Sequence, residues 1–183
     1  KDKEKALTDL EKAHRLKPHI KQIWDLLIGL KMDFKQFEDT IIVLDAMIKQ
    51  EPTNEKMYGS IALCYQNLEK FDQAILAYKK AIDLRPLYLE AWINLGATLK
   101  SKGKLPDAIQ AFNKALSIQP DNIEAYNNIG LTLQEQGKME EALETFNKAL
   151  SIQPNNATTY NNVLEMFKGY NPLGLPSGEL GHL

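Results

Sequence analysis

Regular proline spacing is the feature that most constrains the fold of this chain of 183 residues. The interval between neighbours is constant along the series Pro18, Pro52, Pro86, Pro120 and Pro154. A period of 34 is that of a helix-turn-helix unit that stacks on copies of itself. The segment 113–120 recurs letter for letter at 147–154, so the period includes the side chains. The sequence therefore predicts an internally duplicated repeat array.

Repeat boundaries follow from counting back from each proline. The predicted array covers 1–168, with a half repeat at 1–20, full repeats at 21–54, 55–88, 89–122 and 123–156, and a terminal helix at 157–168. Apolar residues have helical spacing in two stretches of each repeat, as at Tyr126, Ile129 and Leu133 and then at Ala142, Phe146 and Ala149. Gly103 and Gly137 lie between the two stretches, where the chain must reverse. The predicted fold class is all-α, a superhelix of about four helical hairpins with a half repeat at each end.

The side-chain pattern resembles the tetratricopeptide repeat (TPR) family. Its signature is a large aromatic residue followed at set positions by Leu, Gly, Tyr, Ala, Phe, Ala and Pro. The fourth repeat matches it with Tyr126, Ile129, Gly130, Leu133, Ala142, Phe146, Ala149 and Pro154. The first repeat departs most, with Ile28, Lys31, Thr40 and Met47 in place of signature residues. The resemblance implies a right-handed solenoid whose first helices line a concave face.

Small signature residues indicate close helix packing within a hairpin. We expect a Gly or Ala in the first helix to face an Ala in the second, while the aromatic residues fill the space between hairpins. A larger side chain at Gly130 or Ala142 is then expected to overpack the hairpin, and removal of the Phe146 ring to leave a cavity.

Asparagines recur at one position of the first helices and form the candidate binding site. Asn94, Asn128 and Asn162 are each one repeat period apart, which predicts a ladder on the concave face. An asparagine side chain both donates and accepts hydrogen bonds, so a ladder of them could hold a peptide backbone. It resembles the asparagine ladder in the repeat region of the O-linked N-acetylglucosamine transferases. The expected groove also includes Asn127, Lys100, Gln134, Leu131, Ile93, Gln66 and Leu63.

Two alternatives concern the role of these positions. The asparagines could equally be consensus residues that stabilise neighbouring helices or loops. A clamp for a pair of carboxylates, known in some family members, is disfavoured because the corresponding residues here are Asp25, Gly29, Gly59, Leu63 and Ile93. An extended peptide with apolar anchors is the better expectation.

Composition limits the partner classes and the compartment. The net charge of −2 does not favour nucleic acid or an anionic membrane surface. No apolar run reaches the ~18 residues needed to span a bilayer. Cys64 is the only cysteine, which excludes an intrachain disulfide and fits a reducing compartment. We therefore expect a protein or peptide partner and a cytoplasmic location, with the periplasm left open.

Catalytic signatures are absent from the sequence. The three histidines, His14, His19 and His182, belong to no metal-binding motif, and no phosphate loop or nucleophile elbow is present. We therefore expect no enzyme activity, cofactor or metal.

The two ends lead to further alternatives. Residues 1–20 read as a second helix without its first, and 157–168 as a first helix whose apolar side chains need a cover. The Gly/Pro/Leu-rich segment 169–183 reads as a tail or linker, or as a segment that lays Leu173, Leu175 and Leu180 against a helix. The leading function is an interaction module that acts as a scaffold or adaptor. The alternatives are the substrate-recruiting region of a larger transferase-type enzyme and a solenoid that self-associates into a homo-oligomer.

Overall fold

The computed structural model describes residues 2–17 and 20–169, which form ten α-helices. The helices are α1 Asp2–Leu16, α2 Lys21–Asp33, α3 Phe37–Ile48, α4 Glu55–Asn67, α5 Phe71–Leu84, α6 Leu89–Ser101, α7 Leu105–Ile118, α8 Ile123–Glu135, α9 Met139–Ile152 and α10 Ala157–Gly169. The prediction of an all-α array of sequential hairpins is confirmed. The proposed tail lies outside the described residues except for Gly169, which ends α10.

Helix starts repeat the proline period. The first helices begin at Lys21, Glu55, Leu89, Ile123 and Ala157, at the same interval that separates the prolines. Asparagine caps explain part of this regularity. Asn122 Oδ1 accepts a hydrogen bond from the Ala125 amide at 2.8 Å, and Asn156 Oδ1 accepts one from the Thr159 amide at 2.9 Å. Each cap satisfies an amide that has no partner within its helix.

The turns inside the hairpins share a left-handed residue. Gly103 and Gly137 have φ of 75° and 77°, as the sequence predicted for chain reversal. The equivalent residues of the first two full repeats are Lys35 and Glu69, with φ of 56° and 57°. These two residues adopt the left-handed backbone conformation, which favours glycine.

The described residues divide into two compact units, the first ending at Lys102 and the second beginning at Gly103. The first unit contains α1 to α6, and neighbouring helices along the chain pack together. Its fully buried side chains include Leu27, Leu44 and Tyr78. Tyr78 Oη donates a hydrogen bond to Gln66 Oε1 at 2.9 Å, which gives the buried phenol a partner.

The second unit contains α7 to α10 and packs around Phe112 and Phe146, both fully buried. A Cβ built on Gly130 would lie 2.5 Å from Phe146 Cε1 and 2.7 Å from Cζ. The nearest neighbour of this glycine is therefore the aromatic ring, and not the alanine that the sequence suggested. The small residue makes room for the ring within its own hairpin.

Lys31 is a departure of the first repeat from the signature that the structure explains. Its side chain is only 4% exposed, and Nζ lies 2.7 Å from Glu11 Oε1 and 3.6 Å from Asp39 Oδ2. It also donates to Gln36 Oε1 at 3.2 Å. A lysine is tolerated in this buried position because carboxylates from α1 and α3 neutralise it.

Candidate functional site

Four of the predicted groove residues line one cleft of the second unit: Asn127, Asn128, Leu131 and Asn162. The cleft lies between α8 and α10 and has a volume of about 460 Å³. Its remaining described lining residues are Ile123, Glu124, Gln153, Asn156 and Thr158. We call it the amide cleft, since most of its polar groups are carboxamides.

Two polar atoms of the amide cleft are buried without a partner. Asn127 is only 8% exposed, and its Oδ1 accepts no hydrogen bond. Asn162 is half-buried, and its Nδ2 donates none. A buried polar atom without a partner costs about 1–3 kcal/mol, so such atoms are rare and call for an explanation.

Other amides at the rim of the cleft are already bonded. Asn156 uses Oδ1 as the cap of α10, and its Nδ2 donates to Gln153 Oε1 at 3.1 Å. Of the described lining residues, only Glu124 carries a charge. The described lining of the amide cleft therefore carries one negative charge and no positive charge.

Gln134 lies in a neighbouring depression of about 400 Å³ with Leu131, Glu135, Met139 and Met166. Leu131 lines both this depression and the amide cleft. The predicted residues of the second unit thus form one continuous surface along α8.

The predicted residues of the first unit are less uniform. Ile93 is 6% exposed, so its side chain belongs to the core and offers little to a ligand. Gln66 is half-buried and bonded to Tyr78. Leu63 and Lys100 are half-buried, and the lysine has an interaction within the chain.

Asn94 shares its local surroundings with Asn128. Its backbone oxygen accepts a hydrogen bond from Thr98 Oγ1 at 2.7 Å, and the backbone oxygen of Asn128 accepts one from Thr132 at 2.6 Å. In both cases a fully buried threonine takes the backbone carbonyl, and the asparagine side chain is left half-buried.

A second cleft, missed by the sequence analysis, lies in the first unit between α2 and α4 and has a volume of about 850 Å³. Five of its lining residues stand three repeats before residues of the amide cleft. They are Asp25, Glu51, Asn54, Lys56 and Ser60, which correspond to Asn127, Gln153, Asn156, Thr158 and Asn162. The same register therefore forms a cleft in each unit.

The chemistry of this first-unit cleft differs from that of the amide cleft. Asp25, Glu51 and Glu55 line it together with Lys56. Glu55 Oε1 lies 3.5 Å from Arg85 Nη1, so part of this negative charge is balanced within the chain. The proline period could have revealed this cleft, but the signature is weakest in the first repeat.

Family profiles match the central repeats. A profile described as "TPR repeat" matches 98–137. Two further profiles are described as "Tetratricopeptide repeat". One of them matches 56–88 and 123–156, and the other matches 77–110. Together they cover 56–156, which is more than half of the chain. The chain is a tetratricopeptide repeat protein.

Solved structures share the fold of this TPR protein. MamA is 29% identical, with a TM-score of 0.77 over 85% of this chain and 91% of MamA. YrrB, described as a TPR protein with an unusual peptide-binding site, is 21% identical, with a TM-score of 0.72 over 87% of this chain and 82% of YrrB. TTC0263 of Thermus thermophilus is 18% identical, with a TM-score of 0.72 over 91% of each chain. No curated protein sequence matches.

A nucleophilic group, a metal-binding cluster or a membrane-spanning helix would indicate a different function for the described residues of the TPR fold. Burial, with a smaller contribution from the Glu38 carboxylate, raises the pKa of the Cys64 thiol to about 11. This thiol is therefore a poor nucleophile near neutral pH. Within 2–17 and 20–169, no three His, Cys, Asp or Glu side chains are placed to hold a metal ion. No helix in these ranges is long and apolar enough to cross a membrane.

Proposed function

We propose that this protein binds an extended peptide segment along its first helices and acts as a scaffold or adaptor. TPR proteins in general mediate protein–protein interactions. The observation that carries the proposal is the meeting of Asn127, Asn128, Leu131 and Asn162 in one cleft. Repeat register alone predicts all four as groove residues.

Lining chemistry favours a peptide over other ligands. Half-buried asparagines offer both donors and acceptors, and Leu131 adds an apolar contact beside them. The described lining has one charged residue, Glu124, and therefore gives no attraction to nucleic acid, which requires clustered basic side chains. The same fold holds a peptide-binding site in YrrB, as its description says.

The ladder of Asn94, Asn128 and Asn162 is the finer part of the proposal. Its support is the common repeat position and the similarity to the ladder of the O-linked N-acetylglucosamine transferases. Asn128 and Asn162 line the same cleft, and Asn94 has the same backbone environment as Asn128.

Selection from a displayed random-peptide library, followed by affinity measurement on the purified chain, tests this function. Asn128→Ala with Asn162→Ala should weaken the selected peptides about 10–100-fold, since each lost hydrogen bond contributes ~1 kcal/mol. The matched control is Asn113→Ala with Asn147→Ala, which changes exposed asparagines of the second helices that are likewise one repeat apart. Equal weakening in both pairs, or a library without binders, would refute the proposal.

Self-association is a second candidate, favoured by an apolar stripe on α10. Tyr160, Leu164 and Phe167 are 48%, 58% and 50% exposed. One repeat earlier, Gly130 and Leu133 in the positions of Leu164 and Phe167 are buried. Among the described residues, the stripe thus exposes the positions that form a hairpin interior one repeat earlier.

A second copy of the chain offers a matching surface on α1. Ala6 is exposed, whereas Ala142, the equivalent residue of the fourth repeat, is fully buried. Light scattering over a range of concentrations tests whether α10 of one copy takes α1 of another. Leu164→Glu should then abolish the concentration dependence of the mass, and a monomeric wild-type chain would exclude this candidate.

A further inference from the structure

Asn127 occupies a position that the preceding repeat fills with an apolar residue. Ile93, one repeat earlier, is 6% exposed, and Asn127 is 8% exposed. The position is therefore buried in both repeats. An isoleucine gains from this burial, whereas an amide oxygen without a partner loses its hydration. In the fourth repeat, a polar group therefore occupies a buried position that the preceding repeat fills with an apolar one.

The opposite wall of the amide cleft carries a complementary atom. Asn162 Nδ2 on α10 is a donor without a partner, and Asn127 Oδ1 on α8 is an acceptor without one. The two are not hydrogen-bonded to each other. A ligand that carries an acceptor and a donor on the same carbon atom would satisfy both.

We infer that the amide cleft is a pocket for a primary carboxamide, the side chain of a glutamine or asparagine in the bound peptide. The ligand N–H donates to Asn127 Oδ1, and the ligand carbonyl accepts from Asn162 Nδ2. This inference rests on the proposed peptide-binding function and adds a side-chain preference to it.

Burial of the two atoms favours a side chain over a peptide backbone. Each exposes less than 1 Å² to solvent, so a ligand reaches it only after side chains of the cleft change rotamer, and a small terminal group requires the least change. A peptide bond is flanked by two Cα atoms and their substituents, whereas a carboxamide ends a slender, flexible stem. Leu131 and Ile123 line the same cleft and can contact the methylene groups of that stem.

Charge discriminates against the closest analogue. A glutamate side chain has the shape of glutamine but carries two acceptors, and it would place one of them against Asn127 Oδ1. Glu124 lines the same cleft, and the described lining residues include no lysine or arginine to balance a carboxylate. A ligand that leaves a buried polar group of the site without its hydrogen-bond partner loses more affinity than a ligand that lacks one methylene contact.

Titration of the isotope-labelled full chain with single-residue probes tests the pocket. The probes are the N-acetyl methylamides of glutamine, glutamate and methionine, and the readout is the side-chain amide signals of Asn127 and Asn162. We expect the glutamine probe to bind at least about tenfold more tightly than the other two probes. This factor corresponds to the hydrogen bonds between uncharged groups that only glutamine can make. Equal binding of all three probes, or glutamine binding that leaves both signals unmoved, would overturn the inference.

Two variants and one control locate the effect. Asn162→Leu removes the donor without adding a charge and should abolish the preference for glutamine over methionine. Asn161→Leu makes the same change at the adjacent residue, at an exposed position outside the lining, and should preserve it. Asn127→Ile introduces the residue of the preceding repeat, which suits a buried position, and should also remove the preference. A preference that survives Asn127→Ile would refute the assignment.

Failure of the pocket can be separated from failure of the proposed function. Library peptides that bind through Asn128 with no enrichment of glutamine or asparagine would refute the pocket and leave peptide binding intact. A glutamine probe that binds a chain without library binders would support the pocket and refute the broader groove.

Discussion

Backbone conformation at the hairpin turns leads to a prediction for single residues. Glu69 is exposed and has φ of 57°, where Gly103 and Gly137 stand in later repeats. A Cβ at either glycine would meet no atom within 4 Å, so the cost of a side chain there comes from the backbone alone. Glu69→Gly should raise the free energy of unfolding by ~0.5–1 kcal/mol, the strain relieved minus the added freedom of the unfolded chain.

Urea unfolding with Glu69→Ala as the control checks this expectation. Alanine removes the charge and the side-chain length but keeps the Cβ, so it should give no comparable gain. Equal stabilisation by Gly and Ala would show that the side chain, and not φ, limits stability at this turn.

Close packing of Gly130 on Phe146 leads to a second residue-scale prediction. Gly130→Ala places a methyl group 2.5 Å from the buried ring and should cost about 1–3 kcal/mol. Phe146→Leu removes the clashing ring edge. The two substitutions together should therefore cost less than the sum of the single costs, by at least ~0.5 kcal/mol.

A double-mutant cycle of denaturant midpoints measures that coupling. Glu144→Gly, at an exposed position of α9, is a control for helix propensity away from the buried core. Strictly additive costs for Gly130 and Phe146 would contradict direct packing between them.

At the scale of whole helices, the attachment of α1 to α2 depends on the buried Lys31. Lys31 of α2 contacts Glu11 of α1, and Leu7 is the one described residue of α1 that is buried. Glu11→Gln leaves the lysine with weaker compensation and should destabilise the α1–α2 contact by about 1–2 kcal/mol. Lys31→Leu in addition should restore most of that loss, because it places in α2 the residue found at the equivalent positions Leu99 and Leu133.

Hydrogen exchange of the α1 amides reports the attachment directly. Protection of α1 should fall in the Glu11→Gln variant and recover in the double variant. If the double variant exchanges faster than the single one, the lysine stabilises α1 by a route other than this ion pair.

The sequence predicts the positions of the helices better than it predicts how deeply each side chain is buried. The proline period sets where each helix begins, and the helix starts at Lys21, Glu55, Leu89 and Ile123 follow it. Register also places Ile93 and Asn127 at one position, but it does not tell how deeply that position is buried. The groove assignment of Ile93 was therefore not matched by its exposure, and the unpartnered oxygen of Asn127 needed coordinates.

Compensation between distant segments was equally beyond the sequence. Lys31 breaks the signature, and its partners Glu11 and Asp39 belong to the helices before and after its own. A repeat profile describes each position by its own residue type, so it reports a mismatch where the structure has a neutralised charge. The same limit applies to Lys35 and Glu69, whose positive φ is indicated only by their register with the turn glycines.

Division into two compact units gives a prediction for the whole molecule. In repeat proteins each unit is stabilised mainly by its neighbours, so unfolding need not be all-or-none. Phe146 is fully buried in the second unit, and Phe146→Ala should cost about 3–5 kcal/mol there. The opening free energies of the α8 and α9 amides should fall accordingly, whereas those of the α4 and α5 amides should stay nearly unchanged.

Leu44→Ala is the reciprocal test, since Leu44 is fully buried in the first unit. It should accelerate exchange in α3 and α4 and leave α8 and α9 nearly unchanged. Native-state exchange below the denaturation midpoint separates the two cases, because local and global openings respond differently to denaturant. If either substitution lowers the protection of all helices by one common free energy, the array unfolds as a single cooperative block, and the two units have no independent stability.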